Sequence, residues 1–375
     1  MKNIAVLGST GTIGKMTLEV ALAYKDKLKV TGLAANNNVD LLTEQIAGFG
    51  PKRAVLLDNE RCSKLNPQSG TEVLCGPTAL EELASDPALD VLVVAMTGTA
   101  AVEAVIAALR AGKRIALATK EILVGFGSFV MDALKEGEGE ILPVDSEHNA
   151  LHQCLDGRDM QTVRRIILTA SGGPFLEKDY HGAAPSDVLA HPTWNMGSRI
   201  TVDSATLMNK GFEVIEAHYL FDMPEDKIEV VIHPQSTVHS LVEFTDGSVL
   251  AQLACPDMRL PIAYALLYPE RGTDVIGSLD LTKVGSLEFS RPDKARFPCL
   301  NLAYKALRKG GTAPAVLQAA DHEAVEQFLE GNLSFEKIGE IVASAIEAHS
   351  FIASPTISQT REAESLAREF VKKGV

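Results

Sequence analysis

The chain has 375 residues, 46% of them apolar, which is enough for two or three domains with sizeable cores. A formal net charge of −14 argues against nucleic acid or an anionic membrane as the main partner, while leaving room for a locally basic pocket that takes a phosphorylated small molecule. The five cysteines (Cys62, Cys75, Cys154, Cys255 and Cys299) are scattered without a Cys-x-x-Cys pair, which reads as reduced thiols, not a disulfide frame or a zinc site. No apolar run reaches membrane-spanning length, and a strand beginning almost at Met1 leaves no signal or transit segment, so a cytoplasmic protein is expected.

Ile4 to Leu7 is a short apolar strand, followed at once by Gly8-Ser-Thr-Gly-Thr-Ile-Gly14 and a helix from Ile13 to about Tyr24, with Met16, Val20 and Ala23 on one side. A second strand, Leu28 to Ala34, closes a βαβ unit. Glycines at this spacing let the backbone N–H groups of a helix start approach a pyrophosphate, with Thr10 and Thr12 as extra donors. The plainer alternative is a tight strand-to-helix turn. After the second strand comes Asn36-Asn-Asn38. It offers no acid to a ribose 2′-hydroxyl, which favours NADP, and no base to a 2′-phosphate; Asp40 close by keeps NAD open. Strands over 54–57, 91–95 and 114–118, with a helix over 99–111, predict a doubly wound parallel sheet. Met96-Thr-Gly98 and Thr119-Lys-Glu121 end two of these strands on the carboxyl side, where such sheets bind ligands. For Lys120 and Glu121 a solvated helix start is the alternative.

Ile141, Leu142 and Val144 end another strand, and the chain turns polar at Asp145-Ser-Glu-His-Asn149 before an apolar helical pattern begins. Asp145 and Glu147 are two apart and point the same way in an extended segment. Two carboxylates at a strand's carboxyl end suit a hard cation such as Mg²⁺ or Mn²⁺. Alternatively, Ser146 or Asp145 simply caps the following helix.

Ile166 to Thr169 runs into Ala170-Ser-Gly-Gly-Pro-Phe175, either an anion cradle or an ordinary Gly-Pro turn. His191-Pro-Thr-Trp-Asn-Met-Gly197 holds the one tryptophan, Trp194, as a lid over a ligand or as a ring that buries a loop end. From Leu207 to Leu220 the pattern is helical: Met208, Phe212, Ile215 and Tyr219 form a core stripe. Asn209, Glu213 and Glu216 line an adjacent face, with Ser204 and Lys210 toward its start. Such a face is costly to bury without a ligand, the alternative being a solvated polar face. Strands over 228–232, 237–244 and 248–254 follow, the last two joined as a hairpin by Thr245-Asp-Gly-Ser248. Cys255-Pro-Asp-Met-Arg-Leu-Pro261 breaks the pattern, residues 272–298 read as a linker, and helices follow over 300–309, 313–329, 334–349 and 358–373.

Six stretches in this order resemble the 1-deoxy-D-xylulose 5-phosphate reductoisomerase family over essentially the whole chain: Gly8 to Gly14, Leu142 to Ala150, Ala170 to Phe175, His191 to Gly197, Asp203 to Gly211 and His233 to His239. The resemblance implies an α/β protein: an N-terminal Rossmann-like doubly wound parallel sheet for NADPH (1–145), a central α+β catalytic domain with a flap (146–271), a linker (272–298) and a C-terminal helical domain (299–375), assembled as a homodimer. It implies NADPH- and divalent-metal-dependent rearrangement and reduction of 1-deoxy-D-xylulose 5-phosphate to 2-C-methyl-D-erythritol 4-phosphate, in the non-mevalonate isoprenoid pathway. By the same resemblance Asp145, Glu147 and Glu213 are ligands of Mg²⁺ or Mn²⁺, and Glu213 borders the substrate. Ser146, Ser171, Ser204 and Asn209 fall on substrate-contacting positions. Lys120, Glu147, His191 and Lys210 fall on positions that contact substrate and serve catalysis, with Trp194 and His191 closing the flap. Thr10, Gly11, Thr12, Ile13, the Asn36, Asn37 and Asn38 segment, Thr119, Glu121 and Gly197 fall on the NADPH side. The family usually reads Asn-Lys-Glu at Thr119-Lys-Glu121, a serine at Ile122, and Gly followed by a basic or small polar residue at Asn36-Asn37. Two rival readings are a semialdehyde-dehydrogenase-like oxidoreductase, which needs a nucleophilic cysteine such as Cys154, and an NADP-binding regulatory sensor without turnover.

Overall fold

Strand β1 (Lys2–Leu7) buries every side chain from Ile4 to Leu7, as a strand covered on both faces must. The chain continues through α1 (Thr12–Ala23), β2 (Leu28–Ala35), α2 (Val39–Phe49), β3 (Arg53–Leu56), α3 (Asn59–Cys62), β4 (Glu72–Cys75), α4 (Ala79–Ala84), β5 (Val91–Val94), α5 (Val102–Arg110), β6 (Arg114–Leu117), α6 (Glu121–Glu136), β7 (Glu140–Pro143) and α7 (Ser146–Leu155). It then runs through β8 (Val163–Ala170), α8 (Pro185–Val188), α9 (Ser198–Thr206), α10 (Met208–Phe221), β9 (Ile228–Ile232), β10 (Val238–Phe244) and β11 (Val249–Leu253). The remainder is helical: α11 (Arg259–Leu267), α12 (Leu281–Val284), α13 (Pro298–Lys309), α14 (Ala313–Leu329), α15 (Lys337–Ala348) and α16 (Ile357–Gly374). The computed structural model describes residues 1–65, 70–190 and 197–375.

The chain forms two units, residues 1–122, 128–149 and 257–277 in the first and 123–127, 150–256 and 278–375 in the second. The first is a seven-stranded parallel sheet of order β4-β3-β2-β1-β5-β6-β7. The order reverses about β1, so a crevice opens at the carboxyl ends of β1 and β5, the usual ligand position in such sheets. Its apolar core runs from Ile4 and Val6 through Leu33 and Val93 to Ile262 and Leu266 of α11. The Pro-rich stretch before residue 261 thus does not begin an irregular segment. It leads into a helix that carries Pro261 in its first turn, where a missing N–H costs nothing.

The second unit has a four-stranded sheet of order β11-β10-β8-β9, with β8 antiparallel to β10 and parallel to β9. One apolar core joins this sheet to α10, α13, α14, α15 and α16: Ile166 and Leu168 belong to the same cluster as Phe212, Leu300, Val316 and Val371. The expected hairpin is present, with β10 and β11 antiparallel around Thr245 to Ser248. β11 is an edge strand, and Val249 and Leu250 on it are 48% and 37% exposed.

One helix is added and one expectation is corrected. The helix read from Leu207 to Leu220 is present as α10, and Leu207, in a left-handed conformation (φ 61°, ψ 13°), separates it from a preceding helix, α9, that the sequence pattern does not announce. The cysteines are not all reduced thiols: Cys62 at the end of α3 and Cys75 at the end of β4 form a disulfide, their Cα atoms 6.0 Å apart. These two elements flank β3, and only the fold brings them together. Cys154, Cys255 and Cys299 are free.

Candidate active site

Gly8 follows β1 at φ +84°, and a Cβ there would run into the Ala95 carbonyl beyond β5; Gly14 lies as closely on the Gly8 carbonyl. Only glycine folds the loop this tightly. The result is that Thr10, Gly11, Thr12 and Ile13 stand where β1 passes into α1. No side chain caps the first N–H groups of α1, which suits them to an anion. Buried Ser9 anchors the loop: its hydroxyl donates to Gln45 Oε1 (2.7 Å), and Gln45 Nε2 donates to the Ser9 carbonyl (2.8 Å).

Asn36, Asn37 and Asn38 are exposed beyond β2, and Asn38 caps α2 by accepting the Leu41 N–H at 3.2 Å. Thr119 is 4% exposed, and its hydroxyl donates to the Met96 carbonyl at 2.6 Å. It therefore fastens the end of β6 to the end of β5. Glu121 opens α6.

Leu117 of β6 is paired with Pro143 of β7, so the residues after these strands meet. Lys120 Nζ lies 2.5 Å from Asp145 Oδ2, both side chains being 8% exposed. Asp145 Oδ1 accepts the Glu147 N–H at 3.2 Å, so the residue caps α7 while its other oxygen holds an ammonium. The capping reading of this stretch is borne out, and the capping carboxylate also carries a buried ion pair. Ser146 Oγ donates to Glu147 Oε2 at 2.8 Å. The sequence alone assigns no role to His148 or Asn149. His148 is fully buried with Nδ1 3.3 Å from Asp145 Oδ1, and Asn149 Nδ2 donates to the Pro143 carbonyl at 2.9 Å. Their signal was the polar run itself, too short to separate ligand from support.

In the second unit Ser171 follows β8. The Gly173 N–H donates to Ser171 Oγ at 3.3 Å, and a Cβ on Gly173 (φ +68°) would meet Ala205 Cα at 2.9 Å and the Ser204 carbonyl at 3.0 Å. Glycine there lays the Ser171 loop directly on the last turn of α9, which carries Ser204. Gly197 is the N-cap of α9 and accepts the Thr201 hydroxyl at 2.9 Å. Past the reversal at Leu207, Asn209 Nδ2 donates to Glu213 Oε1 at 2.7 Å and the Lys210 ammonium donates to Glu213 Oε2. Lys210, Glu213 and Glu216 are 4%, 1% and 0% exposed, so this face of α10 is buried, not solvated. His191 and Trp194 lie outside the described residues.

His233 acts as a fastener. Its Nε2 accepts the Thr237 and Val238 N–H groups (3.2 and 3.1 Å), which assigns its proton to Nδ1, 2.9 Å from the Glu288 carbonyl. Cys154 is 7% exposed on α7, and burial pushes its thiol up, the wrong direction for a nucleophile. That counts against the semialdehyde-dehydrogenase reading.

The arrangement offers one helix start open to an anion and, in each unit, a buried carboxylate held by a lysine ammonium. The oxygens are hard donors, and the ammonium ions supply charge that a buried carboxylate requires. Glu147, carrying a hydroxyl donor, belongs with them.

Family models cover most of the chain. One described as 1-deoxy-D-xylulose 5-phosphate reductoisomerase matches residues 4–127, and C-terminal-domain models of the same enzyme match 141–221 and 253–370. A 1-deoxy-D-xylulose 5-phosphate reductoisomerase of Methylobacillus flagellatus is 49% identical over 98% of this chain and 96% of its own. One of Caldanaerobacter subterraneus is 48% identical over 100% and 99%. Among solved structures, the Zymomonas mobilis enzyme in complex with NADPH aligns at a TM-score of 0.92 and 40% identity, covering 99% of this chain and 98% of that one. A DOX-P reductoisomerase in complex with NADPH, fosmidomycin and magnesium aligns at 0.95 and 38% identity, covering 100% and 98%.

Proposed function

The chain belongs to the 1-deoxy-D-xylulose 5-phosphate reductoisomerase family, and from that premise we propose which of its side chains carry the reaction. The activity is the NADPH- and divalent-metal-dependent conversion of 1-deoxy-D-xylulose 5-phosphate to 2-C-methyl-D-erythritol 4-phosphate in isoprenoid biosynthesis; a sensor without turnover is not favoured. When bound, Mg²⁺ or Mn²⁺ supplies Lewis acidity toward the ketone and NADPH supplies the hydride.

The ligand set we propose is Asp145, Glu147 and Glu213. The support is chemical: Asp145 and Glu213 already hold Lys120 and Lys210 ammonium ions, so a cation belongs beside each carboxylate. Lys120 and Glu147 are the proton-handling groups. Lys120 holds its proton at Nζ against Asp145, and Glu147 Oε2 accepts from Ser146, so both are oriented before substrate arrives. Ser171, Ser204, Asn209 and Lys210 take the phosphate and hydroxyl groups of the substrate, and Ser146 a further hydroxyl. Their placing on a glycine-laid loop and two short-turn helix ends makes them donors that need no rearrangement. Thr10 to Ile13, Asn36 to Asn38, Thr119, Glu121 and Gly197 form the NADPH side, with the nucleotide-binding, catalytic and helical functions divided over residues 1–145, 146–271 and 299–375.

We further propose a cytoplasmic homodimer with no nucleic-acid or membrane partner. Among the described residues no helix is long and apolar enough to cross a membrane. The apolar, open β11 edge suits a second copy. The single observation that carries the catalytic reading is the Lys120–Asp145 pair set beside Glu147 at the end of the parallel sheet. The test is NADPH oxidation by the purified chain with the pentulose phosphate, with and without Mg²⁺ or Mn²⁺. Oxidation that needs both substrate and metal is expected. Absence of turnover with tight NADPH binding would instead leave the sensor.

A further inference from the structure

We propose that Arg61 reads the 2′-phosphate of the nicotinamide dinucleotide in this chain, standing in for a base at the end of β2. The inference rests on the reading that the crevice at the carboxyl ends of β1 and β5 binds NADPH, with the adenosine half lying over β2. In a sheet of this order, the ribose of the adenosine half lies at the residues after β2, and discrimination between NADP and NAD is made there by an acid that takes the 2′-hydroxyl or a nearby arginine that takes the 2′-phosphate. Asn36, Asn37 and Asn38 are all amides, and Asn38 already gives its oxygen to the Leu41 N–H. None of them offers charge to a phosphate dianion.

The charge comes from the next strand. β3 lies beside β2, and the backbone after it returns to Asn36: the Asp58 N–H donates to the Asn36 carbonyl at 3.0 Å. Asp58 starts α3, accepting the Glu60 and Arg61 N–H groups at 3.0 and 3.1 Å. Its other oxygen lies 3.2 Å from Arg61 Nε, and Arg61 Nη1 points to the Asn37 carbonyl at 3.4 Å. Asp58 thus aims the guanidinium across the end of β2 and fixes it by one edge. The side chain remains 53% exposed, so its outer donors face solvent where the phosphate arrives. A guanidinium held by one edge suits paired acceptance by phosphate oxygens, which an amide or a mobile ammonium matches poorly. The helix itself is held: Cys62, the next residue, is bonded to Cys75 at the end of β4.

Asp58 also limits the effect. Its carboxylate offsets part of the arginine's charge, so discrimination rests on hydrogen-bond geometry more than on a field, and it weakens with salt less than a cluster of bases would. A contact of one charged donor group predicts a loss of about tenfold or more on its removal.

The test measures binding, without turnover. Dissociation constants of NADPH, NADH, 2′,5′-ADP and ADP are determined by calorimetry for the full chain, Arg61→Gln and Arg61→Lys. Arg61→Gln should weaken NADPH and 2′,5′-ADP about tenfold or more while leaving NADH and ADP within about twofold, with Arg61→Lys between. Unchanged discrimination in Arg61→Gln, with tight NADPH binding by the wild type, overturns the assignment to Arg61 alone. A wild type that binds neither NADPH nor NADH overturns the nucleotide reading and this proposal with it. Equal weakening of all four ligands overturns the proposal as well, since it would mark a structural role for the side chain.

Discussion

Glu213 and Glu216 are three residues apart on α10 and both are buried, at 1% and 0% exposure, so helical periodicity could not choose between them. The neighbours do. Glu213 takes Asn209 and Lys210 on its two oxygens, both from the helix's first turn, next to the left-handed Leu207 that ends α9. An anionic substrate is favoured at that end of the helix, so the carboxylate there is the better ligand for a cation that must also touch substrate. Glu213→Gln is expected to lose more activity and Mn²⁺ affinity than Glu216→Gln. Losses from residues that only support a ligand run to roughly 10–100-fold, and Glu213→Gln should exceed that range. Titration of Mn²⁺ in the presence of substrate checks this, and wild-type affinity in Glu213→Gln would sink the assignment. The parts of the site that could be read from the sequence were those contained in one local run: Asp145 and Glu147, Ser171 with its glycines, and Asn209 to Glu213. What could not be read required strand pairing. The Lys120–Asp145 ion pair joins residues 25 positions apart through β6 and β7, and Arg61 reaches Asn37 only because β3 lies beside β2.

At the scale of elements, α9 is not legible in the sequence because Ser198 to Thr206 is mostly β-branched and short polar residues of weak helix propensity, whereas α10 shows its apolar period from Leu207 onward. Leu207 accepts the left-handed conformation, at a cost of roughly 1–2 kcal/mol, because its side chain is buried to 2% exposure, where truncating a leucine costs about 2–5 kcal/mol. Burial wins. Leu207→Gly, though it relieves the backbone, should therefore be net destabilising by roughly 1–3 kcal/mol, seen as a lower urea midpoint. A second element-level device sits at the end of α15, where His349 is the C-cap. A helix C-terminus favours a charged imidazole by about 0.3–1 kcal/mol, yet burial, helped by the Lys309 ammonium, holds this histidine below its usual range. Its Nε2 lies 2.7 Å from the Thr312 hydroxyl, whose oxygen also accepts the Ile352 N–H at 3.1 Å. A histidine with a depressed folded value binds more protons when unfolded, so its contribution is present above the unfolded value and is lost as pH falls through the folded one. Denaturation midpoints measured down from neutral pH should fall more steeply in the wild type than in His349→Gln. Parallel profiles would remove His349 as a cause.

At the scale of the whole molecule, the alternation of strands and helices gave away the parallel sheet because each element carries its own period. The second unit was less legible. Its core joins a sheet from the middle of the chain to helices from the end, and membership of one cluster by residues as distant as Leu168 and Val371 leaves no local trace. The return of α11 to the first unit is hidden for the same reason. The exposed β11 edge, with Val249 and Leu250 uncovered, has a thermodynamic consequence if copies of the chain meet there. Association that occurs only between folded chains is a ligand-binding equilibrium in which the ligand is the protein itself, so stability ceases to be a property of one molecule and becomes a function of how many share the solution. The melting temperature should then climb with protein concentration, and Leu250→Lys, which leaves the fold's interior untouched, should flatten that climb and lower the mass seen in light scattering. A melting temperature indifferent to concentration over a hundredfold dilution (about 2.7 kcal/mol of mass action) would mean that the edge is closed by nothing.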